Sequence, residues 1–276
     1  MGRRGNSGYS NPDTRSGTDL VYSGSMSPTQ HYLERLGTRL APSLGGPAAG
    51  YSVWSRSTEG ITKSGNDISQ WDDLSDNGNN FTQTTSGDYP QFNSSNSALN
   101  NLPSVDCENG DDLATADDSS LNGVGGFCLY VVAKVDSFPS TFSFFANRQN
   151  GTSWSTGWFI FHYASKLRFC IDYWNTSSKR VELDPPGTSN ANIYKFHYDE
   201  TTITAEIIGP DADSGTQAQT STDYNASGYG ISLNRGGSDS YDGNWDYGEI
   251  IFYPSPIGTA AQTETENYLK ERYNIS

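Results

Sequence analysis

From about residue 51 onward, apolar positions alternate or cluster in short runs, and Gly, Asn, Asp and Pro interrupt them every few residues. A period of two puts successive side chains on opposite faces of a strand, so this pattern predicts β-structure. The clearest predicted strands are Gly126–Val135, Thr141–Arg148, Gly157–Tyr163, Lys166–Asp172, Ile193–Tyr198, Thr202–Ile208, Gly228–Leu233 and Gly248–Tyr253. Weaker ones cover Tyr51–Trp54, Asp67–Trp71, Asn80–Thr84, Ser104–Cys107 and Lys179–Leu183. So many short strands in one stretch predict a large sandwich or barrel. Phe127–Val135 is almost continuously apolar, which marks a central strand. Helical spacing occurs twice. Tyr32, Leu33, Leu36 and Leu40 follow a capping box at Ser27 and Gln30, and Ala261, Tyr268 and Leu269 follow one at Thr259 and Gln262.

Composition divides the chain. Residues 1–50 are rich in Gly, Ser, Arg and Pro and carry too little apolar surface to fold alone. They read as an extended arm with one short helix, joined to a single domain over residues 51–276. The whole chain has a net charge of −15. Arg3, Arg4, Arg15, Arg35 and Arg39 leave the arm slightly positive, so the rest is strongly acidic. That balance argues against phosphate-backbone binding and for docking of the arm on a protein surface. The assembly contacts expected are Arg3, Arg4, Arg15, Tyr32, Leu33, Leu36 and Leu40. No apolar run is long enough to cross a membrane as a helix, and the first residues show no signal peptide, so synthesis in a cytoplasm is expected. Cys107, Cys128 and Cys170 sit in apolar or alternating stretches and read as buried, unpaired thiols.

Two segments carry a family resemblance. The first is Gly65–Gln83 (GNDISQWDDLSDNGNNFTQ), followed by Asn101-Leu102-Pro103-Ser104-Val105 and Asn109-Gly110-Asp111-Asp112-Leu113. The second is Tyr247-Gly248-Glu249-Ile250-Ile251-Phe252-Tyr253 and the helical run to Tyr268, Leu269 and Tyr273. Together they resemble the LamG-like, concanavalin A-like lectin/glucanase superfamily, over about residues 51–276. Asp76 departs from the Gly that the family favours, and Asn100-Asn101 replaces its usual Asn-Gly. The resemblance implies a two-sheet antiparallel jelly-roll sandwich with a short C-terminal helix. In this reading Asp72 or Asp73 with Ser75 shapes a turn, Asn77-Gly78 supplies positive φ, and a hairpin joins the Trp71 and Phe81 strands.

The order of arm and domain resembles virion proteins of tailed bacteriophages. It implies a non-enzymatic, multicopy protein of the virion surface, as capsid decoration, fibre or tail component. The arm would hold it on the major capsid or tail proteins, and the domain would bind polysaccharide for host attachment. The alternatives are a cement protein without glycan binding and a polysaccharide-degrading glycosidase. Glycoside hydrolysis needs facing carboxylates. Glu182-Leu183-Asp184 ends at Pro185-Pro186, and Asp242, Asp246 and Glu249 lack the Glu-x-Asp-x-x-Glu spacing of related laminarinase-type enzymes. No catalytic residue is therefore assigned.

Sugar binding needs exposed aromatic faces beside amides and carboxylates. The candidates are Trp154, Asp172, Tyr173, Trp174, Asn175, Tyr241 and Asn244, whereas Trp158 and Trp245 read as core. No metal centre is assigned. Calcium is common in the superfamily, and its donors here would be Asp111-Asp112, Asp117-Asp118, Asp211 with Asp213, or Asp239 with Asp242.

Overall fold

The computed structural model describes residues 45–276, apart from 109, 122, 124, 139–140, 148–156, 172–175, 220–229 and 235–242. The predicted helix near Tyr32 and the seven arm contacts lie outside the described residues. A compact unit spans Leu44–Ser276.

Its strands begin with β1 (Val53–Arg56), β2 (Ile61–Ser64), β3 (Asp67–Trp71), β4 (Phe81–Thr82), β5 (Gln91–Asn96) and β6 (Leu102–Cys107). Next come β7 (Leu113–Ala114), β8 (Phe127–Ser137), β9 (Thr141–Asn147), β10 (Trp158–Tyr163), β11 (Lys166–Ile171) and β12 (Arg180–Leu183). The last are β13 (Ala191–Tyr198), β14 (Thr202–Ile208), β15 (Asp213–Ala218), β16 (Ile231–Leu233) and β17 (Asn244–Tyr253). A helix, α1 (Thr259–Tyr273), ends the chain.

Among the described residues every ladder is antiparallel, and the strands form the expected two-sheet sandwich. The front sheet runs β15-β14-β13-β8-β17, and β17 then pairs with β1 at its end and with β6 and β5 at its start. The back sheet runs β2-β3-β4-β7-β16-β9-β10-β11-β12. One pair, Asp67 with Gln91, joins the sheets through β3 and β5. The nearly all-apolar β8 is central, flanked by β13 and β17.

Aromatic side chains fill the space between the layers, as a chain with few aliphatics requires. Trp71, Trp158 and Trp245 are fully buried there. The Phe127 ring lies 5.2 Å from Trp158 and 5.7 Å from Phe252. Cys107, Cys128 and Cys170 are buried and unpaired.

The hairpin between β3 and β4 pairs Trp71 with Phe81. Asp73 shapes its turn: the backbone N–H groups of Trp54, Ser75 and Asn79 donate to its carboxylate at 2.9 Å. Gly78 has φ +73° in that turn, where a side chain would be strained.

The outer face of the front sheet has two halves. Tyr130, Val132, Ile193, Ile251 and Tyr253 form an apolar half covered by Tyr268, Leu269 and Tyr273 of α1. The helix begins one residue earlier than its capping box predicts, with Gly258 at the N-cap and Thr259 as the first helical residue. Gln262 instead holds the turn by donating to the Ile257 carbonyl at 2.8 Å. The other half, beyond the C-terminal end of α1, is polar.

Candidate functional site

Parity and two register slips of β17 against β8 build the polar half; the first, between Asn244 and Trp245, skips Asp136. Trp245 and Tyr247 of β17 point into the core, so Asp246 points outward. The register slips between Tyr247 and Glu249, placing Gly248 in a bulge. A Cβ at Gly248 would lie 2.9 Å from the Tyr273 ring, so the close approach of α1 needs glycine there. The slip puts Glu249, Ile251 and Tyr253 on the same outer face as Asp246. By the same alternation β8 turns Lys134 and Asp136 outward, and β6 turns Ser104 and Asp106 outward.

Asp106, Lys134, Asp136 and Asp246 line a cleft of about 490 Å³. Its walls are the amides of Asn93, Asn96 and Asn244, hydroxyls of Ser95 and Ser97, the carboxylates of Asp106, Glu108, Asp136 and Asp246, and the Lys134 ammonium. Ser104 donates to Asp246 Oδ1 at 2.8 Å. Lys134 donates to Asp136 and lies 3.4 Å from Asp246 Oδ2. One oxygen from each of Asp106, Asp136 and Asp246 falls within 4.8 Å of the others.

Burial, then repulsion from Asp246 and Asp136, pushes the Asp106 carboxyl up to about 7. Burial also raises Asp136, against the opposing pull of Lys134. Lys134 itself is held above its usual range: burial lowers it, but Asp136 and Asp246 outweigh burial. The cleft is therefore a crowded anionic surface with one cation, able to accept hydrogen bonds from many hydroxyl donors.

Asn234 fixes one wall. It is fully buried, with φ +55°. Its amide donates to the Glu108 and Asp111 carbonyls at 2.9 and 3.0 Å, and its Oδ1 accepts the Gly243 N–H at 2.8 Å. It thereby ties the chain after β6 to the start of β17.

Among the described residues, Asp106, Asp136 and Asp246 are the one carboxylate group that could hold a cation. Three donors fall short of the six to eight oxygens of calcium, and Lys134 already sits among them. The predicted calcium donors have other partners. Asp111 accepts the Glu108 N–H at 3.0 Å, Asp117 the Gly230 N–H at 2.9 Å, and Asp118 the Ser120 N–H at 2.7 Å. The Asn192 amide donates to Asp211 at 2.9 Å, and Asp213 accepts the Asp184 N–H at 2.8 Å. Asp112 takes the Gln83 amide. Asp239 and Asp242 lie outside the described residues.

Of the predicted sugar-binding residues, Asn244 lines the cleft. Trp154, Asp172, Tyr173, Trp174, Asn175 and Tyr241 lie outside the described residues. The cleft carboxylates were missed because Asp106, Asp136 and Asp246 are single charges near the ends of three strands far apart in sequence. Their one local signal is outward parity on otherwise apolar strands.

No protein-family model and no curated protein matches the sequence. Solved structures do match it. An arabinofuranosidase complexed with arabinofuranosyl-α-1,2-xylobiose superposes with a TM-score of 0.59 at 13% identity, over 75% of this chain and 51% of that one. The Trypanosoma rangeli sialidase in complex with 2,3-difluorosialic acid gives 0.56 at 9% identity, over 82% and 34%. The botulinum neurotoxin serotype G binding domain gives 0.55 at 9% identity, over 80% and 51%. The chain thus spans about half or less of the structures it matches. At such identities the likeness is one of fold: a β-sandwich shared by glycosidases and a toxin binding domain. Among the described residues, no helix is long and apolar enough to cross a membrane.

Proposed function

We propose that the protein is a non-enzymatic carbohydrate-binding protein of a phage virion surface, with the polar cleft as its glycan site and residues 1–50 as its tether to capsid or tail proteins. The observation that carries the binding reading is the cleft itself. Its volume lies within the usual range of ligand pockets, and amides, hydroxyls and carboxylates converge there. Glycan affinity would come from many weak hydrogen bonds, and display in many copies would raise avidity. The tether rests on the contrast between a basic, glycine-rich arm and an acidic body.

The test is a glycan array probed with the full chain, with Asn93→Ala/Asn244→Ala as control. Binding that the control loses supports the reading, and a blank array overturns it. The tether is tested separately by co-sedimentation with phage particles, with and without residues 1–44. Attachment that survives the deletion favours the cement protein.

A glycosidase is the second reading, favoured by one observation. Asp106, raised to about 7, shares a cleft with Asp246, and one oxygen of each lies within 4.8 Å of the other, so two facing carboxyl groups of the kind glycoside hydrolysis uses are present. Binding is preferred because Asp246, the would-be nucleophile, is 5% exposed and already engaged by Ser104 and Lys134. Release of 4-nitrophenol from a panel of 4-nitrophenyl glycosides, abolished by Asp106→Asn, would reverse that preference.

A further inference from the structure

The chain just before β1 is built into the fold. Gly46 lies against the Trp54 indole so closely that a Cβ would sit 3.2 Å from it. Pro47 is buried and Ala48 is 4% exposed. The Ala48 N–H donates to Thr265 Oγ1 at 3.2 Å, and its carbonyl accepts the Tyr253 hydroxyl at 2.8 Å. Tyr253 and Thr265 lie 2.9 Å apart, oxygen to oxygen, which closes a ring of three hydrogen bonds. Thr265 belongs to α1 and is fully buried, and Tyr253 ends β17. Tyr51 packs 5.4 Å from Trp54 and 6.3 Å from Tyr253, and the Ser52 N–H donates to the Phe252 carbonyl at 2.8 Å.

We propose that residues 46–54 are a strap that carries traction on the preceding chain straight into β17 and α1, so that an anchored body keeps its first strand. The proposal rests on reading residues 1–50 as a tether. β1 pairs with β17 over only four residues, Val53 to Arg56, and such a short edge strand peels readily when pulled at its end. The ring at Ala48 stands ahead of it in the chain. Pull on the arm therefore meets buried hydrogen bonds to a helix and a central strand before it meets β1. The cleft begins at Asp246, seven residues back along β17 from Tyr253, so about 23 Å of paired strand separates the two.

The test is single-molecule stretching of the full chain between its N-terminus and a handle at Ser214→Cys, an exposed site on β15. The native cysteines are buried and do not compete for the label. The wild type is expected to show no release of residues 45–56 before the body unfolds. Tyr253→Phe keeps the ring and removes the hydroxyl. It is expected to add an early, low-force step of about 40 Å, the extended length of that segment. Thr265→Val is expected to do the same, and Thr265→Ser to restore the wild-type trace. An early step in the wild type, or none in Tyr253→Phe, overturns the strap. Failure of the tether reads out elsewhere, as attachment to particles without residues 1–44, and leaves these traces unchanged.

Discussion

Asp246 and Glu249 share a strand, a face and a sheet, three residues apart, in opposite surroundings. Glu249 is fully buried beneath α1. Trp54 Nε1 and the Tyr268 hydroxyl each donate to its Oε1 at 2.7 Å, the Tyr273 hydroxyl donates to Oε2 at 3.0 Å, and Arg272 lies 3.3 Å away. Burial raises its pKa, and these four partners work against the rise. Asp246 has one hydroxyl, a lysine at 3.4 Å and two more carboxylates beside it. A carboxylate whose acceptor sites are filled by its own fold is structural. Carboxylates left crowded in a cleft have acceptor capacity for a ligand. The helix decides which is which: its last turn ends over Glu249 and stops short of Asp246, whose neighbours Asp106 and Asp136 face the cleft.

The largest effect should come from unbalancing the covered half. Glu249→Gln leaves Arg272 without its counter-ion, at a cost of about 3–5 kcal/mol and roughly 10 °C in Tm, read by calorimetry. Tyr268→Phe removes one bond to a charged acceptor and should cost about 1.5–3 kcal/mol. A loss under a few tenths would make Glu249 no anchor.

The open half should respond with the opposite sign. Asp106 holds its proton more tightly folded than unfolded, so folding stability falls as pH rises from about 4 through 7. Asp106→Asn should therefore stabilise the protein at pH 8 by about 1 kcal/mol, after discount for solvent screening, and by little at pH 4. Thermal melts at the two pH values check this. The smallest change expected is from Lys134→Gln. Removing the cation between Asp136 and Asp246 should cost about 0.5 kcal/mol at pH 8.

Much of the sandwich was legible in the sequence, because alternation is a local signal. β8, β10, β13 and β14 lie close to their predicted spans, and Trp71, Trp158 and Trp245 are core as read. Polar strands escaped notice. β15, Asp-Ser-Gly-Thr-Gln-Ala, has no apolar side of its own and is set by pairing with β14. The cleft was harder still. Rules for sugar sites favour aromatic loops, and those candidates fall outside the described residues except for Asn244. Asp106, Asp136 and Asp246 meet only through the register of β17 with β6 and β8, and that register slips twice along β17, between Asn244 and Trp245 and between Tyr247 and Glu249. Spacing along the chain carries none of this.

One comparison tests the division of the sheet most directly: glycan-array binding by the wild type and by Asn93→Ala/Asn244→Ala, both first shown to melt at the same temperature. The wild type is expected to bind a defined glycan set and the cleft variant to lose it while staying folded. Identical binding by the two would contradict it, and would move the site off the open half of the front sheet.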